Sequence, residues 1–281
     1  MISSFLMVGQ SNMAGRGYLA DVKQIYDEKI KMLVNGRWQT MIEPINFDRP
    51  TSGIGLAASF AGAWRLKNDQ EEIGLIPCAD GGTSLDDWAV GGALFDNAVF
   101  QAKLALRTSK LTGIMWHQGE NDSFAGLSAV YYDKLSIIVD AFRAELNAPD
   151  IPFIMGGLGD FLSTGRYGKY FTEYKQVNYA LQKFAETKPN AYFVTATGLT
   201  ANADELHFDA ISLRRFGIRY FESFLQKKNV LAPVTGEDEL VDMVHQRPLT
   251  KNEQAALLKI DFSLGKISSD DLDEKVSQLN E

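Results

Sequence analysis

The sequence holds three histidines, His117, His207 and His245, so any chemistry that needs an imidazole base has few candidates. His207 lies in Asp204-Glu205-Leu206-His207-Phe208-Asp209, three residues after a carboxylate, so one loop can present ring and acid together. An imidazole with an unperturbed pKa of roughly 6.5 can take and return a proton near neutrality. A carboxylate at its other nitrogen fixes the tautomer that does so. What remains to be found is a nucleophile, because a serine hydroxyl attacks well only when such a base removes its proton. Ser11 supplies one, in Gly9-Gln10-Ser11-Asn12-Met13-Ala14-Gly15, where a short apolar run gives way to small and polar residues. His117 is the rival base, but it directly follows an apolar run and has no carboxylate three residues before it. His245 lies in a tail of different composition.

Two further segments could surround a reacting carbonyl: Asp80-Gly81-Gly82-Thr83-Ser84-Leu85-Asp86-Asp87-Trp88 and Trp116-His117-Gln118-Gly119-Glu120-Asn121-Asp122. A tetrahedral intermediate needs donors aimed at its oxyanion. The backbone N–H of Ser11, that of Gly82 or Gly81, and the side-chain amide of Gln118 or Asn121 are the candidates. Glycine suits the role because it lets the backbone approach closely. Plainer readings stand beside these. Ser11 could cap a helix, and Glu120 could be the acid in place of Asp204 or a buried carboxylate that shapes its own turn. Asp86 and Asp87 read as helix-start acids that complement a helix dipole.

These segments need elements to hold them. Short, nearly continuous apolar runs at 5–8, 73–79, 113–116, 152–155 and 191–195 read as strands covered on both faces. Between them Leu56, Phe60, Ala61 and Trp64 share a helical face, as do Tyr131, Leu135, Ile138 and Phe142. Segments 170–185 and 212–226 have the same period. Strand–helix alternation predicts a three-layer α/β fold, in which ligands bind beyond the carboxyl ends of the strands, where the chemical segments fall. Asn35-Gly36, between extended runs within 31–41, predicts a type I′ hairpin, read as a small insertion on the active-site side. From about Ala232 the composition changes. Thr250 and Glu253 form a capping-box pattern, Gly265 ends that helix, and Ser268 opens another. The tail therefore predicts a helical hairpin that either docks on the body or mediates self-association.

The bulk numbers exclude several classes. A net charge of −8 speaks against nucleic acid or an anionic membrane as partner. No apolar run approaches the roughly 18 residues that cross a bilayer. The first residues read as a strand rather than a leader, which gives a cytoplasmic protein as the expectation. The single cysteine, Cys78, rules out an internal disulfide and a thiolate-rich metal site, and its apolar surroundings predict a buried thiol. The histidines lack ligand-like spacing. Neither the Gly-x-Ser-x-Gly elbow nor a phosphate-binding glycine fingerprint occurs, so no metal and no cofactor is expected.

Taken together and in order from Val8 to Asp209, the four segments resemble the blocks of the sialate O-acetylesterase-like family, which includes the carbohydrate esterase family six acetylxylan esterases of the SGNH-hydrolase superfamily. The resemblance implies a flavodoxin-like domain over 1–232 with a central parallel sheet of about five strands; the helical tail, 233–281, lies outside it. It places the family's nucleophile on Ser11, its base on His207, its acid on Asp204 and its glycine donor on Gly82. It ranks Gln118 above Asn121 as the amide donor. The implied activity is hydrolysis of O-acetyl esters of a carbohydrate, acetylxylan or xylo-oligosaccharide, with a sialic-acid O-acetylesterase or other small-ester deacetylase as the alternative. A non-catalytic carbohydrate-binding protein on the same fold is the reading from another class. Trp88 and Arg49 are candidates for the substrate rim, Trp88 because aromatic faces pack on the apolar faces of sugars.

Overall fold

The computed structural model describes residues 1–280. Its centre is a seven-stranded sheet, built from β1 (Ile2–Gly9), β2 (Ile30–Val34), β3 (Arg37–Thr40), β4 (Ile73–Pro77), β5 (Ser109–His117), β6 (Phe153–Gly156) and β7 (Ala191–Val194), in the order β3-β2-β4-β1-β5-β6-β7. The five strands expected from their apolar runs are its inner part, β4-β1-β5-β6-β7. Ranked along the chain they follow the 2-1-3-4-5 order of flavodoxin-like folds. All pairings are parallel except β2 with β3.

The hairpin corrects the expected count. Asn35 and Gly36 both take positive φ, as a type I′ turn requires. Yet β2 is no detached insertion: Ile30, Met32 and Leu33 are buried, and Ile30–Met32 pair in parallel with Ile73–Leu75. A strand with this much apolar surface is more stable as an extension of the sheet than as a loop over it.

Alternation along β1 divides the core. Leu6 and Val8 face one layer, formed by α3 (Ala93–Ala105), α4 (Tyr131–Glu145) and α5 (Tyr174–Thr187). Phe5 and Met7 face the other, formed by α2 (Ala57–Lys67) and α6 (Ala210–Gln226). Helix α2 is buried nearly all round, because a further helix, α7 (Glu237–Gln246), covers the side that α6 leaves free. The Glu237 carboxylate holds the buried Arg219 guanidinium through two contacts of 2.7 Å, and Val244 packs where a side chain on Gly62 would stand. Beyond it come α8 (Lys251–Ser263) and α9 (Ser269–Asn280), the hairpin expected in the tail. The Thr250–Glu253 capping box is present. Glu253 also accepts from the Glu28 N–H and from Arg247, which ties the start of α8 to the body.

Helices α2 and α6 cross at a glycine. A Cβ on Gly217 would lie 2.1 Å from both the Leu56 carbonyl oxygen and the Ser59 hydroxyl. Gly217→Ala must therefore push the helices apart, an overpacking cost of ~1–3 kcal/mol. A thermal melt should show Tm lowered by several degrees; an unchanged midpoint would mean that this crossing tolerates a methyl group.

Candidate active site

Strands β1 and β5 end level, with Gly9 opposite His117. Only glycine fits there: φ is +130°, and a Cβ would lie 2.1 Å from the His117 carbonyl oxygen. The Gln10 N–H donates to that same carbonyl at 2.8 Å, and the chain turns into α1 (Ser11–Ala14). Gln10 occupies the cap position and Ser11 the first helical one, so the Ser11 hydroxyl is not a helix cap. It lies 2.9 Å from His207 Nε2, while His207 Nδ1 lies 2.6 Å from Asp204 Oδ2.

The loop before α6 is folded to give that geometry. Asp204 Oδ1 accepts from the backbone N–H groups of Leu206 and His207, both at 3.0 Å, and Glu205 takes positive φ. Burial alone would raise the pKa of the Asp204 carboxyl, but the His207 ring and these two N–H donors outweigh it and bring it down to about 2. At the loop's end the Asp209 carboxylate caps α6 by accepting from the Ser212 N–H. Asn12 links this loop to the third segment: its Oδ1 accepts from the Phe208 N–H at 3.1 Å, and its Nδ2 donates to Glu120 Oε1 at 2.5 Å.

The donors sort by what already occupies them. The Gly81 N–H donates to Asp48 Oδ2 at 2.8 Å, whereas the N–H groups of Ser11 and Gly82 have no acceptor among the described residues. Gly82 has φ +78° and open space around it, and Gly81 packs so closely that a Cβ would touch Ser11 Cβ at 3.4 Å. Gln118 corrects the ranking of the two amides. It is fully buried, and its Nε2 already faces Asp122 at 2.6 Å, the Thr83 carbonyl at 3.0 Å and Gln10 Oε1 at 3.2 Å, so it knits the second and third segments together. Asn121 is the partly exposed amide, with Nδ2 2.5 Å from the Gly82 carbonyl oxygen.

Other candidates settle elsewhere. Trp88 is fully buried, edge-on to Trp116, with Nε1 donating to Thr83 Oγ1, so it is core and not substrate rim. Arg49 is partly exposed, bound to Asp80 and to the Gly81 carbonyl. Glu120 is buried beside Asn12 and His117, behind Ser11 and apart from the His207 ring. His117 is sealed between Phe208 and Phe216, unavailable as a base. Asp86 and Asp87 sit in a turn ahead of α3 instead of starting a helix; Asp87 accepts from Ser84 and Asp86 pairs with Lys134. Cys78 is buried, and burial pushes its thiol up to about 12.

Sequence reasoning missed Gln10, Asn12, Asp48 and the wall beside the histidine. Arg16 and Asp48 form a buried pair at 2.5 Å that supports Gly81, and only the polarity of residues next to the first segment hinted at it. A cavity of about 520 Å³ opens beside His207, lined by Arg16, Gly17, Tyr18, Leu19, Ser52 and Asp204 among others. Among the described residues no three His, Cys, Asp or Glu side chains converge as a metal site, and no helix is long and apolar enough to cross a membrane.

Three comparisons bear on this geometry. The profile of the family described as carbohydrate esterase, sialic acid-specific acetylesterase, matches residues 2–226. A probable carbohydrate esterase of Arabidopsis thaliana is 26% identical over 243 residues, which is 79% of this chain and 89% of the plant protein. The crystal structure of that plant protein superposes with a TM-score of 0.72 at 24% identity, over 80% of this chain and 98% of the other. A carbohydrate acetylesterase from Xanthomonas citri gives 0.59 at 17% identity, over 78% of this chain and 55% of its own.

The lowered Asp204 pKa makes stability depend on pH in a defined direction. Folding holds this carboxyl below the roughly 4 of an unfolded aspartate, so its contribution is complete above that value and lost as pH falls towards about 2. Urea unfolding of the protein and of Asp204→Asn should therefore differ most near neutrality, with the gap closing only below about pH 4. A gap that closes near pH 6 would contradict the assigned ionisation.

Proposed function

The chain belongs to the sialic acid-specific acetylesterase family of carbohydrate esterases, and from that membership we propose that it removes O-acetyl groups from sugars through an acetyl-enzyme on Ser11. It is a carboxylic ester hydrolase on an SGNH-type α/β fold. The observation that carries the mechanism is the continuous hydrogen-bonded line Asp204–His207–Ser11, ending beside two unoccupied backbone donors.

In this reading His207 Nε2 takes the Ser11 proton as Oγ attacks the acetyl carbonyl carbon. The oxyanion receives the N–H groups of Ser11 and Gly82, which are already in place before charge develops. Asn121 steadies the Gly82 peptide through its carbonyl and has a second amide hydrogen for the same oxygen. Collapse returns the proton from His207 to the departing sugar hydroxyl and leaves acetyl-Ser11. Water then attacks with His207 again as base, and acetate leaves. Asp204 holds the Nδ1 hydrogen throughout and stabilises the imidazolium.

The charges around Ser11 favour a neutral sugar of the acetylated xylan or xylo-oligosaccharide type over a sialic acid. Arg16 is already matched by Asp48 at 2.5 Å and Arg49 by Asp80 at 2.7 Å. A sialate carboxylate would have to compete with these acids for its counter-ion.

Ser11→Ala should lower kcat on 4-nitrophenyl acetate by roughly 10³-fold or more; near-normal turnover would remove Ser11 as nucleophile. Asp204→Asn should lose on the order of 10²–10⁴ in kcat, more than Glu120→Gln, and the reverse ranking would make Glu120 the acid. Acetate release should be faster from acetylated xylo-oligosaccharides than from O-acetylated sialic acid. The opposite preference would replace the neutral-sugar reading with the sialate one.

A further inference from the structure

Across the wall formed by Asp48 and Asp80 lies a second cleft, of about 310 Å³, which the acyl transfer does not use. It opens between the β2–β3 hairpin, the 45–48 segment, the end of β4 and helix α3. Phe47 stands at its edge, 71% exposed and without an aromatic partner among the described residues. Asn97 and Gln101 face it from α3, and neither side chain is engaged in a hydrogen bond among the described residues. Asn46 is 3% exposed; its Nδ2 donates to the Ala79 carbonyl at 2.9 Å, but its Oδ1 is buried with no donor at all. A buried acceptor without a partner is unfavourable, and a ligand hydroxyl would relieve it.

The chemistry of the lining is specific. One exposed ring with several amides, each both donor and acceptor, suits a ligand that has an apolar face and a rim of hydroxyl groups. Among the described residues, Asp48 and Asp80 are the only charged groups that line the cleft, and both are bound by arginines. Among the described residues the lining offers no cation to an anionic ligand. The cleft also adjoins the nucleophile: Asp48 accepts the Gly81 N–H, and Gly81 packs against Ser11 Cβ. One loop separates the two.

We propose that this cleft is a subsite for an unesterified ring of a neutral oligosaccharide whose acetylated ring sits at Ser11. The proposal rests on the esterase reading above for its second half, but binding to the cleft can be measured without catalysis. Titration calorimetry of the full chain with unacetylated xylotetraose should show saturable binding. Phe47→Ala, and separately the double change Asn97→Ala with Gln101→Ala, should raise Kd about fivefold or more, ~1 kcal/mol. Both alter surface side chains outside the core, and circular dichroism melting checks that the fold is kept. Absence of binding by the unaltered protein, or equal affinity in Phe47→Ala, overturns the subsite. Binding of 3′-sialyllactose as tight as that of xylotetraose overturns its neutrality. Failure of the esterase reading would show instead as acetate release that does not depend on Ser11.

Discussion

The contact between Ser11 and His207 joins residues 196 positions apart, and a single buried amide holds the two segments at that distance. Asn12 accepts from the Phe208 backbone on one side and donates to the Glu120 carboxylate on the other, so the first, third and fourth segments meet on one side chain. Both its partners are fixed. Phe208 is packed among His117, Phe161 and Phe216, and Glu120 is buried with the Asn12 amide as a main donor. Hydrogen bonds to a charged group contribute ~1.5–3 kcal/mol, and leaving such a group buried without one costs more. Movement of the His207 loop away from Ser11 would break the bond from the Phe208 N–H to Asn12.

This arrangement explains why Glu120 is present without being in line with His207. A carboxylate beneath the site, held by Asn12 and close to His117, sets the position of the serine's neighbour. A carboxylate in the loop, held by two backbone donors, orients the His207 ring. Burial opposes charge on both groups, and hydrogen bonds keep each below the usual carboxylate range. The two acids therefore do different work because their surroundings differ, not their chemistry.

Elsewhere buried charge fixes register. Arg214 is bound by Glu43 in a bidentate pair, and Arg219 by Glu237, both from α6. Such pairs contribute little net stability after desolvation, but breaking one strands a buried charge, so they define a unique seat for the elements that carry them. The second seats α7, which in turn closes over α2. Part of the tail is thereby built into the body, while the outer surface of α8 and the turn after it leave Phe262 and Leu264 exposed.

The inner strands, the helical segments and the four chemical segments were legible in the amino-acid sequence because each rests on local facts: apolar runs, a 3.6-residue period, glycine at tight turns, and a carboxylate three residues before a histidine. Family membership followed from those segments in order. What sequence could not decide was which polar atoms are already occupied. Gln118 and Asn121 are equivalent amides on paper; three acceptors around a buried Nε2 set one apart from the other. Gly81 and Gly82 are likewise equal until the Asp48 carboxylate takes one N–H and leaves the other. Trp88 could have been rim or core until Trp116 and Thr83 enclosed it, and the hairpin could have been a loop until β4 offered it an edge. Each of these was settled by partners distant in the chain, and a partner's position is a property of the packed structure alone.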